Sequence, residues 1–124
     1  MTEDREAAEA LAAFFEARRG KLDDPDHIAL WESLRQATEG GKRVRPLLFS
    51  SVHTALGGTF TEAAAQIAAA LELLHTALIV HDDVIDGDDL RRGRPNVAGA
   101  FVASARAEGA APERARVYGD AAAI

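Results

Sequence analysis

The stretch that decides the fold is residues 62–87, which read EAAAQIAAALELLHTALIVHDDVIDG. Helix-forming alanine and leucine fill it, and it is apolar almost all round from Ala63 to Val80. We predict one long helix that starts after Thr59 or Thr61, ends near Ile85 and is about 35 Å long. A helix that is apolar on every side belongs in the centre of a bundle.

Hydrophobic spacing, prolines and glycines divide the rest of the chain into five further helices. Their predicted ranges are 2–19, 28–38, 43–56, 97–107 and a last helix that opens near residue 113. Residues 88–96 are polar and predict a loop. Because alanine is abundant and β-branched residues are few, the chain is predicted to be all-α, a helical bundle.

Length, charge and cysteine content exclude several classes of protein. The chain has 124 residues, a formal net charge of −6 and no cysteine. The length suits one domain, the acidic balance argues against a nucleic-acid partner, and disulfides are excluded. No apolar stretch is predicted to reach the about 18 residues of a membrane span. We therefore expect a cytoplasmic protein that does not span a membrane.

Five aspartates lie within eight positions at the end of the long helix: Asp82, Asp83, Asp86, Asp88 and Asp89. Asp82 and Asp86 are four residues apart, so they share one helix face, where like charges repel. Mg²⁺ would offset this repulsion, because it is commonly held by one or two carboxylates together with waters and phosphates. The alternative is a solvated acidic helix end.

Basic residues form two short segments in this acidic chain. Lys42, Arg43 and Arg45 open the third predicted helix, and Arg91, Arg92 and Arg94 follow the aspartates. Such groups suit phosphate recognition, although each segment alone is equally consistent with solvated surface charge. His75 lies seven positions before Asp82, on the same helix face. The aspartates, the two basic segments and His75 together predict a site for phosphate-bearing substrates beside an apolar channel.

Three motifs in this order resemble the first half of the trans-isoprenyl diphosphate synthases, the polyprenyl synthetase family that includes farnesyl and geranylgeranyl diphosphate synthases. They are GGKRVRP at 40–46, ELLHTALIVHDDVID at 72–86 and DDLRRGRP at 88–95. The resemblance implies the isoprenoid synthase type of helical bundle. It also implies Mg²⁺-dependent condensation of isopentenyl diphosphate with an allylic prenyl diphosphate, head to tail, in isoprenoid biosynthesis.

The resemblance also implies residue roles. Asp82, Asp83 and Asp86 would be catalytic, with Mg²⁺ on Asp82 and Asp86. The isopentenyl diphosphate would be bound by Lys42, Arg45, His75 and Arg92, and the allylic diphosphate by Arg91. Ala77 and Leu78, five and four positions before Asp82, would line the channel of the growing tail. Because alanine leaves room in that channel, a product of about C20 or longer is predicted.

The chain also departs from the family pattern. Members are much longer and carry a second aspartate-rich motif, which nothing after Asp89 resembles. We therefore expect residues 1–124 to be the N-terminal part of one synthase domain, truncated before that motif and inactive alone. The family implies a homodimer. Two alternatives stay open: a noncatalytic partner subunit of a synthase, and a fragment of a class I terpene cyclase.

Overall fold

The computed structural model describes residues 2–124, so Met1, the first residue of the predicted domain, lies outside the described residues. Six helices and one small hairpin follow each other along the described part of the chain, and the all-α prediction is confirmed. The elements are α1 (Thr2–Arg19), α2 (Pro25–Ala37), α3 (Val44–Ala55), α4 (Glu62–Asp86), β1 (Leu90–Arg91), β2 (Arg94–Pro95), α5 (Val97–Ala107) and α6 (Pro112–Ala123).

Helix α2 begins three residues earlier than predicted, because of the residue that caps it. The Asp24 carboxylate accepts hydrogen bonds from the backbone N–H groups of Asp26 and His27, at 2.9 and 3.0 Å. Pro25 occupies the first helical position, where its missing N–H costs nothing. An aspartate followed by a proline is therefore the true start of this helix.

The predicted loop at residues 88–96 contains the hairpin, which is a correction to the sequence analysis. Leu90 lies opposite Pro95, and Arg91 lies opposite Arg94, in an antiparallel pair. Strands of two residues are too short to show the apolar and polar alternation by which strands are recognised.

Only one face of α4 packs against the other helices of the bundle. It contacts α1, α3, α5 and α6, mostly through small side chains. Its buried residues are Ala64, Ala65, Ala68, Ala69, Glu72, Thr76, Val80 and Asp83. The opposite face leaves large apolar side chains exposed, among them Leu74, Leu78 and Ile85. The prediction of a central helix is thus correct for the alanine face and wrong for the leucine face.

The length and apolar character of α4 contradict the expectation that no stretch of the chain is long enough to span a membrane. The helix has 25 residues and a stretch with a mean hydropathy of 1.7, so it is long and apolar enough to cross a membrane. The core helix of a bundle has the same properties, and part of this helix is buried against its neighbours. Length and composition therefore do not distinguish the two environments.

Two separate apolar clusters hold the helices together, one near each end of α4. The first joins Leu11 and Phe15 to Ala69. Trp31 of α2 packs on this cluster and donates a hydrogen bond from its indole N–H to the carbonyl oxygen of Phe15 at 2.9 Å. The second cluster consists of Val80, Val97, Ala98 and Ala123. It fixes α5 and α6 beside the aspartate-rich end of α4.

Candidate functional site

A groove of about 610 Å³ lies between α3 and α4. Large aliphatic side chains line it, among them Leu48 of α3, Leu56 directly after α3, and Leu71, Leu74 and Leu78 of α4. Arg45 of α3 and His75 of α4 also line the groove. The structure therefore brings together three residues to which the resemblance gives roles, Arg45, His75 and Leu78. Ala77 is exposed and is not among the lining residues.

The first and third aspartates of the DDVID segment continue the groove face of α4. Leu78, Asp82 and Asp86 follow one another at intervals of four, so their side chains share one face. Asp82 and Asp86 are exposed, and neither forms an ion pair within residues 2–124. Both carboxylates are therefore accessible to a cation.

These two carboxylates fit a Mg²⁺ ion as part of a coordination shell. Across the described residues, no three histidine, cysteine or acidic side chains converge into a complete metal-binding cluster. Mg²⁺ dehydrates reluctantly and is often held by one or two carboxylates, with waters and phosphate oxygens completing the shell. The donor set thus suits a magnesium ion that arrives with a phosphorylated ligand.

Asp83, the middle aspartate, has a different environment. Its side chain is buried, and Arg91 binds both carboxylate oxygens, from Nη2 at 2.7 Å and from Nε at 3.1 Å. The hydrogen bonds that Arg91 donates to Asp83 raise the pKa of Arg91 above its ordinary value. This ion pair joins the hairpin to α4, so Arg91 is engaged by a carboxylate in the present conformation.

Arg92, the next residue, contacts the other basic segment. Its guanidinium group lies against Gly40 and Gly41, directly before Lys42. The hairpin therefore brings Arg92 to the backbone that leads into Lys42. Sequence reasoning missed this contact, because the two glycines indicated only the end of a helix.

The side chain of Arg43 lies apart from the groove that Arg45 lines. Arg43 starts α3 with a left-handed backbone, φ 44°, and lines a small cavity together with Asp4 and Glu72. One carboxylate oxygen of each acid is buried without a hydrogen-bond partner in the described part of the chain. The cluster of three basic residues is therefore divided between two sides of α3, and Arg45 alone reaches the groove.

An arginine outside the predicted site links α6 to the residue directly before the hairpin. Arg116 of α6 forms ion pairs with Asp120, at 2.7 Å, and with Asp89. The hydrogen bonds that Arg116 donates to Asp120 and, to a smaller extent, to Asp89 raise the pKa of Arg116. The spacing of four between Arg116 and Asp120 was a visible signal of this pairing, although its link to Asp89 was not.

Comparison with known proteins places these observations in a family. The chain matches the polyprenyl synthetase family over residues 28–113. It is 52% identical over 60 residues to a geranylgeranyl diphosphate synthase of Saccharolobus solfataricus, covering 48% of this chain and 18% of the relative. It is 38% identical over 99 residues to a farnesyl diphosphate synthase of Geobacillus stearothermophilus, covering 77% of this chain and 31% of the relative.

A third relative is named for a different product. An all-trans-nonaprenyl-diphosphate synthase of Rhodobacter capsulatus is 52% identical over 56 residues, which are 45% of this chain and 17% of the relative. No solved structure matches the chain. The chain spans less than a third of the length of these relatives. The family match nevertheless covers more than half of the chain, which therefore belongs to the polyprenyl synthetase family.

Proposed function

We propose that this chain carries the isopentenyl diphosphate site and the first magnesium site of a prenyl diphosphate synthase. The observation that carries the proposal is the α3–α4 groove, in which Arg45 and His75 lie beside a wall of leucines. A cationic group beside an apolar groove suits a ligand with a diphosphate head and a hydrocarbon tail. The family resemblance supports the same assignment.

Different residues of the chain would bind the two diphosphates. Lys42, Arg45, His75 and Arg92 bind isopentenyl diphosphate and orient its double bond. Asp82 and Asp86 would hold Mg²⁺, and the ion would supply positive charge beside the leaving allylic diphosphate. The carbon–oxygen bond to that diphosphate breaks, and the isopentenyl double bond attacks the resulting allylic cation to form a new carbon–carbon bond. The new cation then loses a proton to the released diphosphate, which restores a double bond. Asp83 keeps the hairpin and its arginines beside this centre.

Prenyl transfer itself is proposed for a protein of the relatives' length that contains this segment. The chain spans less than a third of those relatives, so diphosphate binding is the activity that we assign to the 124 residues themselves. For the longer protein we propose a cytoplasmic homodimer whose two substrates are isopentenyl diphosphate and an allylic prenyl diphosphate.

Calorimetric titration of the chain tests the proposal. Isopentenyl diphosphate is titrated without metal, and geranyl diphosphate is titrated with Mg²⁺. We expect Lys42→Ala, Arg45→Ala and His75→Ala each to weaken isopentenyl diphosphate binding about tenfold or more, since each removes a charge-assisted hydrogen bond. Binding of geranyl diphosphate should change much less.

Matched controls come from exposed residues outside the groove. Lys21→Ala, Arg114→Ala and His27→Ala remove the same side-chain types and should leave both affinities within about twofold of wild type, because distant surface charges are screened. Equal losses for both ligands in the groove variants would contradict two separate diphosphate sites.

A further inference from the structure

Two glycines leave open the space that the guanidinium group of Arg92 occupies. Gly40 and Gly41 have φ angles of 78° and 80°. A Cβ atom added at Gly40 would lie 2.8 Å from Nη1 of Arg92, and one added at Gly41 would lie 3.0 Å from Nη2. Non-bonded atoms prefer separations of about 3.5 Å or more. A Cβ atom at Gly40 would therefore force the guanidinium group to shift, and one at Gly41 would push it by a few tenths of an ångström.

Arg92 is held differently from Arg91 and Arg116, the two arginines that anchor the hairpin and its approach. Arg91 and Arg116 are each bound by carboxylates. Arg92 forms no ion pair in the region that the structure describes. The glycine backbone thus restricts its position without neutralising its charge. A positively charged fork with unpaired N–H donors is suited to bind an anion.

The backbone conformation of Arg92 is set by its place in the hairpin. Its φ angle is 53°, and among residues 2–124 only one other non-glycine residue, Arg43, has a positive φ. Arg92 and Gly93, with φ angles of 53° and 74°, form the two-residue loop between Arg91 and Arg94, and the turn usual in such hairpins requires a positive φ at both loop positions. Arg43 lies in the first basic segment, directly before α3, and Arg92 lies in the second.

We propose that Gly40 and Gly41 are positioning residues that seat the Arg92 guanidinium group beside Lys42, so that both basic segments bind one diphosphate. Seating the side chain in advance reduces the entropy that a flexible arginine loses when it binds an anion. This inference rests on the proposed function, which assigns Lys42 and Arg92 to isopentenyl diphosphate.

The test is calorimetric titration of the 124-residue chain with inorganic pyrophosphate in the absence of metal. Gly41→Ala should weaken binding about tenfold, because it displaces one charge-assisted donor group. Gly109→Ala is the matched control, since Gly109 also has a positive φ, 93°, but an added Cβ there meets nothing within 4 Å. It introduces the same kind of backbone strain and should leave the affinity unchanged.

A double-mutant cycle shows whether the glycine acts through Arg92. In an Arg92→Ala background, Gly41→Ala should weaken pyrophosphate binding by less than about twofold, because no guanidinium group remains to be displaced. Circular dichroism checks that each variant folds. Gly41→Asn provides a second variant should Gly41→Ala not fold, because asparagine tolerates the left-handed conformation.

Nitrogen relaxation of the Arg92 Nε–H group provides a readout without ligand. We expect this group to be ordered in the wild type and in Gly109→Ala, and mobile in Gly41→Ala. If Arg92→Ala weakens binding while Gly41→Ala matches Gly109→Ala in affinity and in relaxation, the positioning role is overturned and the proposed function stands. If wild type and Arg92→Ala bind pyrophosphate equally, the proposed function of Arg92 fails, and this inference fails with it.

Discussion

Asp82, Asp83 and Asp86 belong to one short motif but have different surroundings. Helical geometry places residues four apart on one face and turns the next residue by about 100°, toward another face. Asp82 and Asp86 therefore lie on the exposed face, whereas Asp83 is buried against the hairpin. The spacing alone predicts which two carboxylates are available to a metal. It does not predict Arg91 as the partner of Asp83, because that contact depends on how the hairpin folds back.

Removal of either exposed carboxylate should weaken metal binding. With Mn²⁺ as a spectroscopic substitute for Mg²⁺, we expect pyrophosphate to increase metal affinity about tenfold or more, because phosphate oxygens complete the coordination shell. Asp82→Asn and Asp86→Asn should abolish this increase, and Asp23→Asn, an exposed aspartate far along the chain, should not. Electron paramagnetic resonance of free Mn²⁺ measures the effect. A Mn²⁺ affinity that does not depend on pyrophosphate would count against the two-carboxylate site.

The pair of Asp83 and Arg91 should respond asymmetrically to substitution. The Asp83 side chain is 6% exposed and that of Arg91 is 42% exposed. Arg91→Met leaves a buried carboxylate without its donors and should lower the free energy of unfolding by about 2–3 kcal/mol. Asp83→Asn leaves an arginine that water can solvate, so about 1 kcal/mol or less is expected.

Urea unfolding followed by circular dichroism measures both changes. Arg5→Met is the control, because Arg5 pairs with Glu9 on the surface and both side chains are mostly exposed. Its loss should alter the free energy of unfolding by no more than about 0.5 kcal/mol. Equal costs for Arg91→Met and Asp83→Asn would show that burial does not govern this ion pair.

At the level of elements, the sequence predicts helices well and short irregular segments poorly. Helices α1 and α5 have the predicted bounds: Gly20 follows the end of α1, and Asn96 caps the start of α5. The hairpin was missed because its strands have two residues each. The exposed leucine face of α4 was missed for another reason. Composition reports that a helix is apolar, but not which of its faces finds a partner.

Helices α5 and α6 approach each other closely through small residues, which gives a prediction at this scale. A Cβ at Gly119 would lie 2.4 Å from Cγ2 of Val102 and 2.6 Å from the carbonyl oxygen of Ala98. Gly119→Ala should therefore destabilise the chain by about 1–3 kcal/mol through overpacking. This loss should exceed the gain of about 1 kcal/mol that alanine normally brings to a helix interior.

Thermal and urea unfolding of two glycine variants separate these effects. At Gly20, directly after α1, the nearest atom to an added Cβ is the carbonyl oxygen of Glu16, at 3.7 Å. Gly20→Ala should therefore be neutral or stabilising by about 0.5 kcal/mol. A stabilising Gly119→Ala would mean that α5 and α6 can move apart without cost.

For the whole molecule, the exposed leucine face of α4 and the charges at its end form one continuous surface. The α3–α4 groove leads along Leu71 and Leu78 to Asp82 on a single helix face. The spacing of four between Leu78 and Asp82 is visible in the sequence and predicts that both side chains share one face of α4. The pairing of α4 with α3 as the second wall depends on tertiary packing, and no periodicity in the sequence encodes it. The route of a prenyl tail therefore has to be tested on both neighbouring positions, Ala77 and Leu78.

The two positions differ in a way that titration can resolve. If the tail lies in the α3–α4 groove, Leu78→Asp should weaken geranylgeranyl diphosphate binding about tenfold or more, because apolar contact is lost to a charged side chain. Ala77→Phe, outside the groove, should leave that affinity within about twofold. Neither substitution should change the affinity for inorganic pyrophosphate, which has no tail. The opposite ranking would place the tail beside Ala77, and Ala77→Phe in a protein of the relatives' length should then shorten the product.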